Sequence, residues 1–141
     1  MSRIEGMKDL RESMDKISDV DLTNIMKKWT EYVRGEAVDL CPVSPLPGGG
    51  QLRQSIMTDV TGHGSSIEGI VYTNKEYAPY VEFGTGRRGA ASTDVAPGIN
   101  LEYSQDINGQ AAQPFMYPAL NNNQTRILRG ITQDLQKAMR D

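Results

Sequence analysis

The chain of 141 residues holds one cysteine, one histidine, one tryptophan and two phenylalanines. A single thiol, Cys41, excludes an internal disulfide. It follows Ala37, Val38 and Leu40, so a buried, unreactive thiol is expected. A single histidine, His63, gives no metal site by itself, and although Ser65 and Ser66 follow it closely, a triad also needs spatial placement and an orienting acid. No apolar run approaches the roughly 20 residues that span a bilayer, so no membrane role is expected. Charges within the first five residues argue against a signal peptide, and a reducing compartment is the expected setting. Apolar residues make up 38%, below the usual 45–50% or so, a range that also counts glycine. A small core, a long polar loop or burial against partners would each account for the deficit.

A strong charge of either sign is also missing. The net charge is −3, with 7 basic and 9 acidic residues up to Gly50 and 8 and 9 after it. A nucleic-acid binder carries a basic footprint, and none is present.

What the chain does have is pattern. Ile4, Met7, Leu10, Met14 and Ile17 recur at helical spacing and predict a helix over 3–17. After "SDVD", with Asp19 or Asp21 as cap, Leu22, Ile25, Met26, Trp29, Tyr32, Val33 and Ala37 share one face of a long helix over 21–40. Pro42 ends it. "CPVSPLPGGG" reads as a connector. "QLRQSIMTDV", the turn "TGHGSS" and "IEGIVYT" predict a β-hairpin over 54–73, with His63 exposed at its tip. Asn74 is positioned to cap a short helix over 77–83, in which Tyr77, Tyr80 and Val81 share a face. A glycine-, alanine- and serine-rich loop fills 84–112, and loops of that length are uncommon unless functional. The segment from Pro114 onward predicts a C-terminal helix over 117–139, with Pro118 in its first turn. Asn121 to Asn123 are poor helix formers, so a start near Gln124 is the alternative. The fold class is α+β: N-terminal helices, a small antiparallel sheet with a hairpin, a short aromatic helix, a long loop and a C-terminal helix.

Catalytic constellations are weak. "GTGRRG" lacks the strand that precedes a dinucleotide-binding loop. Glu76 and Glu82, six apart on a short helix, are expected on different faces and solvated. No catalytic residue, metal or cofactor is expected, and the protein is not expected to be an enzyme. "EYAPYVEFGTGRRG" (76–89) instead gathers Tyr77, Tyr80 and Phe83 beside a glycine-rich basic loop. These aromatics, with Val81, Pro114, Phe115 and Pro118, are expected to anchor the loop. Gly84, Thr85, Gly86, Arg87 and Arg88 are expected to form a flexible arm toward a subunit interface or channel. Guanidinium groups suit that place because they donate bidentate hydrogen bonds and shed water readily.

Three motifs then coincide. "CPVSPLPGGGQLRQSI" is similar to A-P-V-D-T-G-x-L-R-x-S-I, with an insertion at 42–50. "YAPYVEFGTG" resembles Y-A-x-Y-V-E-F-G-T. "AQPFMYPAL" resembles A-Q-P-F-[L/M]-x-P-A-L. In this order they resemble the tail-completion or neck proteins of tailed bacteriophages, over roughly residues 20–139. The resemblance implies a non-enzymatic virion subunit of the neck, assembled in the host cytoplasm. It implies a ring of about six or twelve copies between the head connector and the tail tube. Its partners would be its own copies, a head-completion or connector protein, and a tail terminator or tail tube protein. Genomic DNA would pass through the lumen without sequence-specific binding. Other readings are a tail terminator ring, a DNA-binding module using Arg87, Arg88, Arg126 and Arg129, and a small hydrolase around His63.

Overall fold

The computed structural model describes residues 17–43, 50–92 and 95–140. The expected helix over 3–17 lies outside them apart from Ile17, and so does the loop path over 44–49. The architecture is α+β, with several helices and one two-stranded antiparallel sheet. Helix α1 runs Asp19–Leu40, and a single turn, α2, runs Gln51–Gln54. Strands β1 (Met57–Thr61) and β2 (Glu68–Tyr72) make the hairpin. Its first expected residues, from Gln54, lie in or beside α2 instead. Short helices α3 (Ala78–Phe83) and α4 (Gly86–Ala90) follow. Then come α5 (Met116–Asn121) and α6 (Gln124–Arg140). The single helix expected over 117–139 is thus two, separated at Asn122 and Asn123, whose side chains compete with the helix backbone for hydrogen bonds.

The chain divides into two compact units. One contains the described residues 17–32, 58–70 and 124–140. Here Ile17, Leu22 and Ile127 are buried. Gly130 is buried because α6 passes close to Trp29: a Cβ at this position would lie 1.9 Å from the indole ring. The glycine is therefore a packing requirement. The Trp29 indole N–H donates to Asp134 Oδ2 at 2.8 Å. Lys28 Nζ reaches the same oxygen at 3.0 Å and sits 5.2 Å over the Trp29 ring. Burial alone would push the Asp134 carboxyl up. The hydrogen bonds from Trp29 and Lys28 and the charges of Lys28 and Lys137 outweigh it and hold the group below its ordinary value.

The other unit contains the described residues 33–43, 50–57, 71–92 and 95–123. Its core joins Ala37, Cys41, Leu52, Ile56, Ala78, Phe115 and Ala119, with Val33, Val71 and Val81 against them. Three of these seven are alanines, so this core buries little apolar area and relies on polar bonds beside it. Arg53 donates to the Cys41 carbonyl at 2.7 Å, and Arg34 Nε donates to the Ile56 carbonyl at 2.9 Å. Burial pushes the Cys41 thiol up, Arg53 opposes this and Glu82 adds to it. A thiol so shifted is a poor nucleophile.

Candidate functional site

The aromatic helix α3 lies in the second unit. Pro79 stands in its first turn, where a missing N–H costs nothing. Its N-cap is Tyr77, not Asn74. The helix does not bury the face expected of it. Tyr77 and Tyr80 are 42% and 61% exposed, so neither anchors the helix. The inward residues are Ala78 and Glu82, with Val81 half-buried. The reason lies in the helix's short length and in what Glu82 does.

Glu82 is 7% exposed. Its Oε2 accepts the backbone N–H groups of Phe115 and Met116 at 2.8 and 3.0 Å, and its Oε1 accepts that of Tyr117 at 2.9 Å. These are free N–H groups at the start of α5. The N-cap of that helix, Phe115, has no side chain able to cap it. A carboxylate brought from 33 residues away does so instead. Negative charge at a helix start is favoured by the peptide dipoles, and hydrogen bonds to an ionised acceptor are the strong ones. The solvated role expected for Glu82 is therefore wrong. Its buried oxygens are satisfied, and the real anchor of this region is an acid. Phe115 sits beside it, 1% exposed, with Pro114 and Pro118 half-buried.

The arginine segment is also built differently from the expected flexible arm. Gly86–Ala90 is a helical turn, α4. Thr85 and Gln110 form an antiparallel bridge, with N–H···O distances of 2.8 and 3.0 Å. The N–H groups of Arg87 and Arg88 donate to the carbonyls of Ile107 and Asn108 at 3.1 and 2.9 Å. The Arg87 guanidinium bonds Asn108 Oδ1. Gly84 allows this close approach. It has φ +77°, and an added Cβ would lie 2.6 Å from the Gln110 carbonyl oxygen. The glycines serve tight backbone packing rather than freedom. Thr85 is half-buried and Gly86 buried, while Arg87 and Arg88 are exposed.

Tyr103 then fixes the rest of the loop. Its hydroxyl donates to the Phe83 carbonyl at 2.9 Å, and its ring covers Gly89. The result is an open, mainly apolar groove of about 320 Å³. Pro79, Tyr80 and Phe83 form one wall, and Leu101, Tyr103 and Ile107 the other. Tyr80, Leu101 and Ile107 are all exposed, as is Ile99 further along the loop. Among the described residues that line the groove, only Glu102 is charged. This apolar surface is the candidate site.

The remaining candidates do not converge on a chemical centre. His63 is exposed beside the turn after β1. No group of three His, Cys, Asp or Glu side chains among the described residues could hold a metal ion. No helix among them is long and apolar enough to cross a membrane. Arg126, in the first unit, bonds the Tyr32 hydroxyl at 3.0 Å.

Residues 7–84, just over half of the chain, match the family described as "Bacteriophage HK97-gp10, putative tail-component". This chain belongs to that family. No curated protein and no solved structure matches it significantly. Membership makes it a phage tail component, for which a structural role, a place in the virion and contacts with other virion proteins follow. The match ends at Gly84, so it includes Glu82 and α3. The bridged loop, the far wall of the groove and helices α5 and α6 lie beyond it.

Proposed function

We propose that this family member is a neck subunit that completes the tail and joins it to the head, as a ring around the DNA channel. The observation that carries this reading, beside family membership, is the apolar groove framed by the Thr85–Gln110 bridge and the Tyr103–Phe83 hydrogen bond. Tyr80, Leu101 and Ile107 stand out of it toward solvent. Covering what remains exposed of such side chains stabilises a contact by roughly 0.5–2 kcal/mol each, a fraction of the value for full burial. Tyrosine with aliphatic neighbours is also the composition of an interface centre. A head-to-tail contact repeated by rotation closes a ring, and each subunit then needs two different contact surfaces. The near-neutral charge balance suits a lumen through which DNA slides, because dense phosphate contacts would grip it. No chemical step is part of the proposal.

The test is a phage carrying an early stop codon in this gene. DNA-filled heads and tails of normal length that fail to join are expected, with joining restored when the purified protein is added. Over-long tails would show a tail terminator instead, and normal infectious particles would remove the protein from the neck altogether. A second arm replaces Arg87 and Arg88 with alanine. Both side chains are exposed, so the fold should survive the loss of the Arg87–Asn108 bond while joining weakens. Undiminished joining would take the arginines out of the contact.

A further inference from the structure

We propose that the outer stripe of α6 inserts into the 79–107 groove of a second copy of this chain, so that the ring closes through two unlike surfaces. The inference rests on the ring proposed above and names its contact.

The stripe follows from helix geometry. At about 100° per residue, Leu128, Thr132, Leu135 and Met139 fall within a strip roughly 60° wide. Ile127 and Gly130, the buried residues of α6, point elsewhere. Leu128 is 60% exposed and Met139 38%. Arg129 and Arg140 border the stripe on one side and are exposed. The helix carries Arg126, Arg129, Lys137 and Arg140 against the single acid Asp134. That acid is already engaged by Lys28 and Trp29.

The groove has the opposite character. It is concave where the stripe is convex, and the only charged side chain among its described lining residues is Glu102. Its volume of about 320 Å³ lies at the small end for ligand clefts and suits a few aliphatic side chains. An apolar ridge with one basic border thus meets an apolar hollow with a carboxylate, the helix-in-groove mode of recognition. Pairing like with like is disfavoured. Ridge against ridge would bring Arg129 and Arg140 toward their own copies, and groove against groove would leave both hollows unfilled. The unlike pairing is heterologous, the kind that generates rings.

The experiment is native mass spectrometry of the full chain across a concentration series. The wild type should assemble. Leu128→Asp should raise the concentration needed for assembly at least tenfold, and Glu102→Arg should raise it several-fold. Glu102→Arg combined with Arg129→Glu should recover most of that loss. A chain with both Leu128→Cys and Tyr80→Cys should form disulfide-linked ladders under mild oxidant, since Cys41 is buried. All four substituted sites are exposed, so unchanged melting curves should accompany the assembly defects. Wild-type-like assembly of Leu128→Asp, or no recovery on the charge swap, overturns this contact while leaving the ring in place. A Leu128→Cys chain that links in particles only to a different virion protein also overturns it. A wild type that stays monomeric at every concentration, and that fails to join heads to tails, removes the ring and the contact together.

Discussion

The region around Trp29 and the region around Glu82 each hold a helix from the C-terminal part of the chain, by opposite means. At Trp29 the helix is α6, and it is held by close approach. Gly130 lets the backbone pass against the indole, Ile127 is buried, and Asp134 adds a half-exposed ion pair at the edge. At Glu82 the helix is α5, and it is held by charge. A buried carboxylate binds three N–H groups beside a core in which three of seven residues are alanines. The difference has a consequence for function. Where close apolar packing fixes a helix, only its outward stripe, Leu128 and Met139 on α6, is left for contacts. Where backbone bonds and one acid fix it, the aromatic and aliphatic side chains nearby stay free to face outward. Tyr80, Leu101 and Ile107 do so, and a tail component that must bind its neighbours has use for them.

The comparison breaks first at Glu82. Glu82→Leu should leave three helix-start N–H groups without their acceptor and cost on the order of 3–5 kcal/mol, read as a shift in the denaturant midpoint. Glu82→Gln keeps an acceptor and should cost clearly less. Equal losses for the two would mean that shape rather than charge holds α5.

Gly130→Ala comes next. In an exposed helix this change gains up to about 1 kcal/mol in propensity. Against the Trp29 ring it should instead cost about 1–3 kcal/mol, because the indole must move. A stabilised variant would show that the close approach at this crossing is not needed.

Asp134→Asn should cost less, under about 1 kcal/mol, as partly exposed ion pairs do. The folded carboxyl lies below its ordinary value of 3.8. Its contribution is therefore complete above that value and fades as pH falls through the lower folded one. The wild type and the variant should differ at neutral pH and converge in strong acid. A difference that grows on acidification would reverse the sign and contradict the assignment.

The smallest expected effect on stability is that of Tyr80→Ala, within about 0.5 kcal/mol, since the side chain is mostly in solvent. An anchor would cost several times more. The same variant should nonetheless impair head–tail joining, which separates presentation from packing.

Much of the frame was legible in the sequence because it follows local rules. The long amphipathic run from Leu22 to Ala37 ends before Pro42, the β-branched stretches flank a glycine-rich turn, and Pro79 marks a helix start. What escaped was non-local. Glu82 sits between Val81 and Phe83, and nothing beside it tells a solvated acid from a buried one. The available signal was at the other end, where Phe115 starts a helix with no Ser, Thr, Asp or Asn to cap it. The segment Gly86–Ala90 has two glycines in five residues and poor helix propensity. Its turn is imposed by the bridge to Gln110 and the carbonyls of Ile107 and Asn108, which no window around Arg87 contains. Tyr80 was misread for a related reason. Spacing shows which residues share a face but not which face is inside, and Glu82 decided that.

The most direct measurement of the central claim is the position of the protein in the particle, by gold-labelled antibody on purified virions viewed by electron microscopy. The account predicts a single cluster of label where head meets tail. Label at the distal tail tip, along the tube, or absent from intact particles would contradict it.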